Sequence, residues 1–145
     1  LQFVLAQLAF WLMAATDGHA KNFSIFLDKG GSYRMTPLYD VLSVWPIIGV
    51  GPNQLSPRRA RLAMALRGKN VHYHLNEIHS RHWQALALQS GVPDAFDQMV
   101  ALVLQVPVAL EEAQAQLPAG FPRALFDSIK RGMMAHATEF MEELP

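Results

Sequence analysis

The chain contains no cysteine. That absence excludes a disulfide framework, thiolate zinc sites and a cysteine nucleophile, and it fits a reducing compartment. Charge is scarce as well: 17% of residues are charged, and twelve bases balance twelve acids. Nothing global therefore marks a nucleic-acid or membrane-surface protein. No apolar run reaches the ~20 residues of a membrane span. The longest apolar stretch, Leu1 to Ala15, is interrupted by Gln2 and Gln7 and has no positive segment before it, as a signal peptide would. Neither Gly-x-Ser-x-Gly nor His-Glu-x-x-His occurs, which removes the usual hydrolase motifs. The initial Met is missing too, and a sequence that opens inside a helical apolar pattern reads as a piece of something longer.

What is present suits one compact core. At 145 residues with 51% hydrophobic content, the chain is large enough to fold without staples. The zero net charge conceals a gradient. Residues 55–90 carry Arg58, Arg59, Arg61, Arg67, Lys69 and Arg81 against Glu77 alone, whereas residues 91–145 carry eight acids against Arg123, Lys130 and Arg131. The basic middle and acidic end could lie against one another, or the middle could face an anion.

The periodicity predicts a mainly α domain with a small β-hairpin. Residues 1–14 read as a buried helix stopped by Thr16-Asp17-Gly18. Two β-prone runs, 23–27 and 33–38, flank Lys29-Gly30-Gly31-Ser32, where Gly-Gly predicts a two-residue hairpin turn. Pro37 puts the second strand on an edge or ends it. Residues 45–57 read as a loop, with Gly49-Val50-Gly51 as loop geometry, and 62–66 as a short strand or a helical turn. A helical period starts near Leu75, with Leu75, Ile78, His82, Leu86 and Gln89 on one face. Residues 94–106 run into Pro107 as two helices or one bent helix, and a last helix runs from Pro122 to about Glu142. The whole of 1–145 is expected to be one domain, with functional loops at 15–43 and a helical bundle over about 72–143.

The conspicuous polar cluster is Thr16-Asp17-Gly18-His19-Ala20-Lys21-Asn22, followed by Tyr39-Asp40 beyond the hairpin. A hairpin brings its outer ends together, so Asn22 and Asp40 should be neighbours. Two such oxygen-bearing side chains suit Mg²⁺, which favours carboxylate and carbonyl ligands shared with phosphate oxygens and water. Asp17, five residues before Asn22, would stand beside them as a proton acceptor. Asp-x-x-x-x-Asn followed by a later Asp is the layout of a kinase catalytic loop.

At these residues the sequence resembles a known family. Ala15 to Ser24, then Thr36-Pro37-Leu38-Tyr39-Asp40-Val41-Leu42-Ser43, are similar to the C-terminal signature of HipA-type serine/threonine kinases, the toxins of HipBA modules. Leu62-Ala63-Met64, Gly68-Lys69-Asn70 and His82-Trp83 extend the resemblance. It implies the C-terminal helical lobe of a kinase-like fold, with Asp17 as catalytic base and Asn22 and Asp40 as Mg²⁺ ligands. It further implies His19 and Lys21 near the phosphates of ATP and Tyr39 lining the nucleotide site. For the family it implies a cytoplasmic protein, a HipB-like antitoxin as partner with DNA reached only through it, an aminoacyl-tRNA synthetase as substrate, and growth arrest and persistence as outcome.

The pattern departs from ordinary protein kinases in having Ala15-Thr16 where His-Arg would stand and Val41-Leu42 after the metal Asp. The phosphate-covering loop, strand lysine and helix glutamate of a kinase would precede the catalytic loop, yet only sixteen residues precede Asp17. The nucleotide-clamping lobe is thus expected to be absent and the isolated chain inactive. The alternative is a helical interaction or scaffold domain in which Asp17, Asn22 and Asp40 are turn and capping groups. His72, His74, His79 and His82 are read as packed or surface histidines rather than zinc ligands, and Arg58-Arg59-Ala60-Arg61 as solvated or phosphate-facing.

Overall fold

A helix that is apolar on nearly every side must be surrounded, and helix α1 (Gln2–Leu12) is. The computed structural model describes residues 1–144. After α1 come strands β1 (Ile25–Leu27), β2 (Tyr33–Met35), β3 (Arg61–Arg67) and β4 (Val71–His74). Helices α2 (Ser80–Ser90), α3 (Ala95–Leu104), α4 (Val106–Ala115) and α5 (Arg123–Glu142) follow. Helices α2, α3 and α5 pack around α1, and α4 lies against α3 and α5. The mainly α class with small β features is borne out.

The core centres on Leu8, Trp11, Leu12, Trp83, Met99 and Phe140, all fully buried. Helix α1 ends at Leu12, and Ala14 takes a left-handed φ of 49°. Its last carbonyls cannot find partners inside the helix. Ala15 N–H donates to Phe10 O at 2.7 Å, the Trp45 indole donates to Leu12 O at 2.9 Å, and His136 Nδ1 lies 2.9 Å from Trp11 O. The His136 ring stacks on Trp11 at 4.1 Å, with Trp45 edge-on at 4.7 Å. Gly132 on α5 makes this approach possible: a Cβ there would lie 2.1 Å from the Trp45 ring.

The first hairpin pairs Ile25 with Met35 and Leu27 with Tyr33. Asp28 N–H donates to Ser32 O at 2.9 Å, so Lys29, Gly30 and Gly31 form a three-residue connection rather than the expected two-residue turn. Both glycines carry the positive φ that prompted the expectation, 84° and 80°. Residues 62–66 lie within a strand, β3, which pairs with β4 in a second hairpin that the sequence reading did not anticipate. Strand β4 and the 3-10 turn Leu75–Glu77 occupy residues expected to begin the helical bundle, and α2 starts only at Ser80. Its start is set by His79, which is extended and whose N–H donates to His82 Nδ1 at 3.0 Å. Pro107 begins α4 rather than bending one long helix, and Gln105 alone separates α3 from α4. In the 45–57 loop, Gly49 and Gly51 leave room for the Gln54 side chain, whose Oε1 accepts from Gly51 N–H at 2.8 Å.

Two buried histidines make stability depend on pH. Burial pushes His136 down to about 4, against the favourable bond to Trp11 O. His82 is also pushed down to about 4, chiefly by burial and then by His72, Arg81 and His79, with Glu143 opposing. Both lie below the ordinary 6.5, so in this window the unfolded chain binds more protons than the folded one. Their stabilising effect is complete above about 6.5 and is lost as pH falls toward about 4. Urea midpoints measured from about pH 7 to about pH 4.5 should decline. His136→Phe should flatten that decline, and an unchanged slope would show that His136 does not carry it.

Candidate active site

The left-handed Ala14 turns the chain out of α1 into Thr16-Asp17-Gly18, and the turn holds its place by close packing. A Cβ at Gly18 would lie 2.3 Å from Phe10 Cδ2, so the ring of α1 occupies the space that any other residue would need. Phe23 then packs onto the same helix, 5.6 Å from Phe10 and 4.8 Å from Phe3 between ring centroids. Between these anchors lies the 3-10 turn Ala20–Asn22, which places Asn22 inside, only 3% exposed.

The hairpin delivers Asp40 to the same place. Asn22 Nδ2 donates to Asp40 Oδ2 at 2.9 Å across eighteen residues of sequence. Asp40 holds a left-handed φ of 57°, a conformation that Asp and Asn tolerate better than most residues. Beyond it the chain is tied back to the end of α1, where Val44 N–H donates to Ala14 O at 3.1 Å. Tyr39 adds a second clasp: its hydroxyl lies 2.9 Å from Ser24 Oγ and donates to Lys21 O at 3.2 Å. The catalytic-type loop and the segment after the hairpin are thus bonded to each other at Asn22–Asp40 and at Lys21–Tyr39.

The remaining oxygen of the amide is the informative atom. Asn22 Oδ1 is buried and has no hydrogen-bond partner among the described residues. An orphaned buried acceptor costs about 1–3 kcal/mol, and a donor or a cation beside it removes that cost. A carbonyl oxygen next to a carboxylate is a donor set that fits Mg²⁺.

Asp17 makes no hydrogen bond to this pair among the described residues. Among the described residues its carboxylate pairs with His19, whose Nδ1 lies 2.9 Å from Asp17 Oδ1 and 3.1 Å from Asp17 O. Both side chains are open to solvent, at 66% and 48% exposure. The structure therefore joins Asn22 with Asp40, Lys21 with Tyr39 and Asp17 with His19. Lys21 contributes its carbonyl to the clasp and leaves its side chain exposed. Ser24, which received no role from the sequence, takes part in the clasp. Its signals were its place at the foot of the hairpin and at the end of the stretch that carries the family resemblance.

Comparison with known proteins identifies the family to which this domain belongs. The family model for the HipA-like C-terminal domain matches residues 1–112, and the chain belongs to that family. A protein of Sinorhizobium fredii (strain NBRC 101917 / NGR234) named "Putative kinase Y4mE" is 43% identical over 77 residues, which are 52% of this chain and 15% of that protein. The chain thus matches a small part of that relative's length.

The Gly18–Phe10 contact can be tested directly. Gly18→Ala should cost about 1–3 kcal/mol of stability through overpacking, measured by urea unfolding. Phe10→Leu in the same chain should recover part of the loss. Equal stability of Gly18→Ala and the parent sequence would show that the ring does not dictate the glycine.

Proposed function

We propose that these residues are the base-and-metal half of a HipA-type serine/threonine kinase, which transfers the γ-phosphoryl group of ATP to a protein hydroxyl. The observation that carries this reading is the buried Asn22 amide, bonded to Asp40 through its nitrogen while its oxygen lacks a partner. Asn22 Oδ1 and the Asp40 carboxylate would hold Mg²⁺. When bound, that ion supplies neutralisation of the charge on the phosphate oxygens. The residues of the chain do the rest. Asp17, exposed and acceptor-only when ionised, takes the proton from the incoming serine or threonine hydroxyl. His19 fixes the carboxylate by bonding to it and to the carbonyl of the same residue. In this arrangement His19 serves the base first, and its other ring nitrogen remains available toward phosphate. Lys21 supplies a mobile positive charge near the same oxygens. Tyr39, its hydroxyl already engaged, offers a ring face as part of the nucleotide wall and holds the two loops in register.

The same reading makes the substrate a cytoplasmic protein, an aminoacyl-tRNA synthetase in the family pattern, with a HipB-like antitoxin as regulator. No helix among the described residues is long and apolar enough to cross a membrane. A kinase also needs a loop over the phosphates and a lysine–glutamate pair, and no counterpart of either is recognisable in this sequence.

In the full-length kinase, Asp17→Asn should lower phosphotransfer by about 10²–10⁴-fold. The thermal melt should stay unchanged, because the side chain is exposed. Asp40→Asn keeps the bond partner and the backbone preference, and should raise the Mg²⁺ concentration needed for half-maximal activity. Full activity in Asp17→Asn would leave a scaffold domain as the better description. The isolated 145 residues should show little phosphotransfer, and robust turnover from them alone would overturn the proposed division of labour.

A further inference from the structure

Away from this site, the start of α2 meets the end of α5 through a histidine and two carboxylates. His79 Nδ1 lies 2.7 Å from Glu143 Oε1 and 4.0 Å from Glu139 Oε1. One ligand atom from each of the three residues falls within 4.8 Å of the others. Four-coordinate Zn²⁺, with bonds of about 2.0–2.2 Å, needs such atoms ~3.4 Å apart, so small side-chain rotations would complete the set. We propose that His79, Glu139 and Glu143 form a Zn²⁺ site that clamps the last turn of α5 to the first turn of α2, with the fourth position left to water.

Four features favour a cation here over a plain ion pair. Among the described residues neither carboxylate has an Arg or Lys partner, and both sit at the negative end of the α5 dipole. The two carboxylates share the single imidazole of His79, which marks a pair of acids short of positive charge. One ligand is already oriented from behind, since Ser80 N–H donates to Glu143 Oε2 at 3.2 Å, and the neighbouring backbone is held where Ser80 Oγ donates to Glu143 O and His79 N–H donates to His82 Nδ1 at 3.0 Å. Such supporting bonds are typical around metal ligands. Finally, the three side chains are 27%, 37% and 34% exposed, which leaves an entry path. The imidazole nitrogen excludes Mg²⁺ as the preferred ion and favours Zn²⁺. Both carboxylates lie beyond the residues matched by the family model.

The test uses the whole chain, freed of metal, with Zn²⁺ or Mg²⁺ added alone. Calorimetric titration should show one Zn²⁺ bound per chain with a rise in melting temperature, and Mg²⁺ at the same concentration should show neither. Among the described residues the Glu139 side chain makes no hydrogen bond and only approaches His79 at 4.0 Å, so Glu139→Gln should fold normally and weaken Zn²⁺ binding by at least about tenfold. His79→Ala should abolish it. Absence of a melting shift, undiminished binding in Glu139→Gln, or binding lost in His72→Ala or His74→Ala but kept in His79→Ala would each overturn the assignment.

Discussion

The carboxyl end of α1 is the constraint on which the molecule turns. A buried helix presents terminal carbonyls that neither its own backbone nor water can satisfy, and each one left alone costs about 1–3 kcal/mol. Here the partners come from far away: the indole of Trp45, thirty-three residues on, and the imidazole of His136, 125 residues on. The imidazole also stacks on Trp11 and meets the Trp45 ring edge-on, so one cluster ends the helix, fixes α5 and holds the segment after Asp40. Trp11 in turn donates to Leu75 O at 3.1 Å, which ties the second hairpin's exit to the same point. The segment after Asp40, α5 and the exit of the second hairpin are therefore anchored to one helix end.

From that anchor the site inherits its rigidity. The chain leaves α1 through a turn pressed on Phe10, visits Asn22, runs out along an exposed hairpin and returns at Asp40 to bond with Ala14 through Val44. The hairpin itself contributes no core, since β1 is exposed along its length and β2 nearly so. Its work is topological, converting a long sequence separation into a 2.9 Å contact. The two polar groups that meet there differ in kind: the amide is buried, whereas the carboxylate faces solvent. A ligand for both must come from the solvent side and use the one amide oxygen that has no partner.

How much of this could be read in advance follows from where the information lies. The Asn22–Asp40 pairing was legible because any antiparallel hairpin closes its outer ends, whatever its turn, and the error in turn length did not disturb it. The core helix was legible from its all-round apolarity. The caps of α1 were not, because a ring bonding a main-chain oxygen 125 residues away leaves no local pattern. The second hairpin carried a weak signal, Leu62 and Leu66 alternating inward, blurred by a register irregularity between Arg61 and Leu66. The helical spacing of Leu75, Ile78 and His82 hid it further, since a 3-10 turn followed by an extended residue places the same side chains inward. The roles of Asp17 and His19 as partners were hidden for a simpler reason: two residues apart in a turn, they could face together or apart.

The charge gradient also acquires a physical meaning. Pairing between the basic middle and the acidic end would have placed Arg or Lys against Asp or Glu across the two segments. Among the described residues the only such bridges are those of His79 with Glu139 and Glu143, and histidine is a partial charge at best near neutrality. Arg58, Arg59, Arg61, Arg67, Lys69 and Arg81 are all exposed and without a carboxylate partner among these bridges. The acids at the end of α5 thus keep a surplus of negative charge, and the second hairpin keeps a surplus of positive charge. The two surpluses cancel in the total without direct Arg or Lys bridges between them. A chain that is neutral by count therefore keeps exposed charges that are not paired one to one, and interactions between such charges are screened beyond about 8–10 Å at ordinary salt. Glu139 and Glu143 give His79 company that a lone surface histidine would lack.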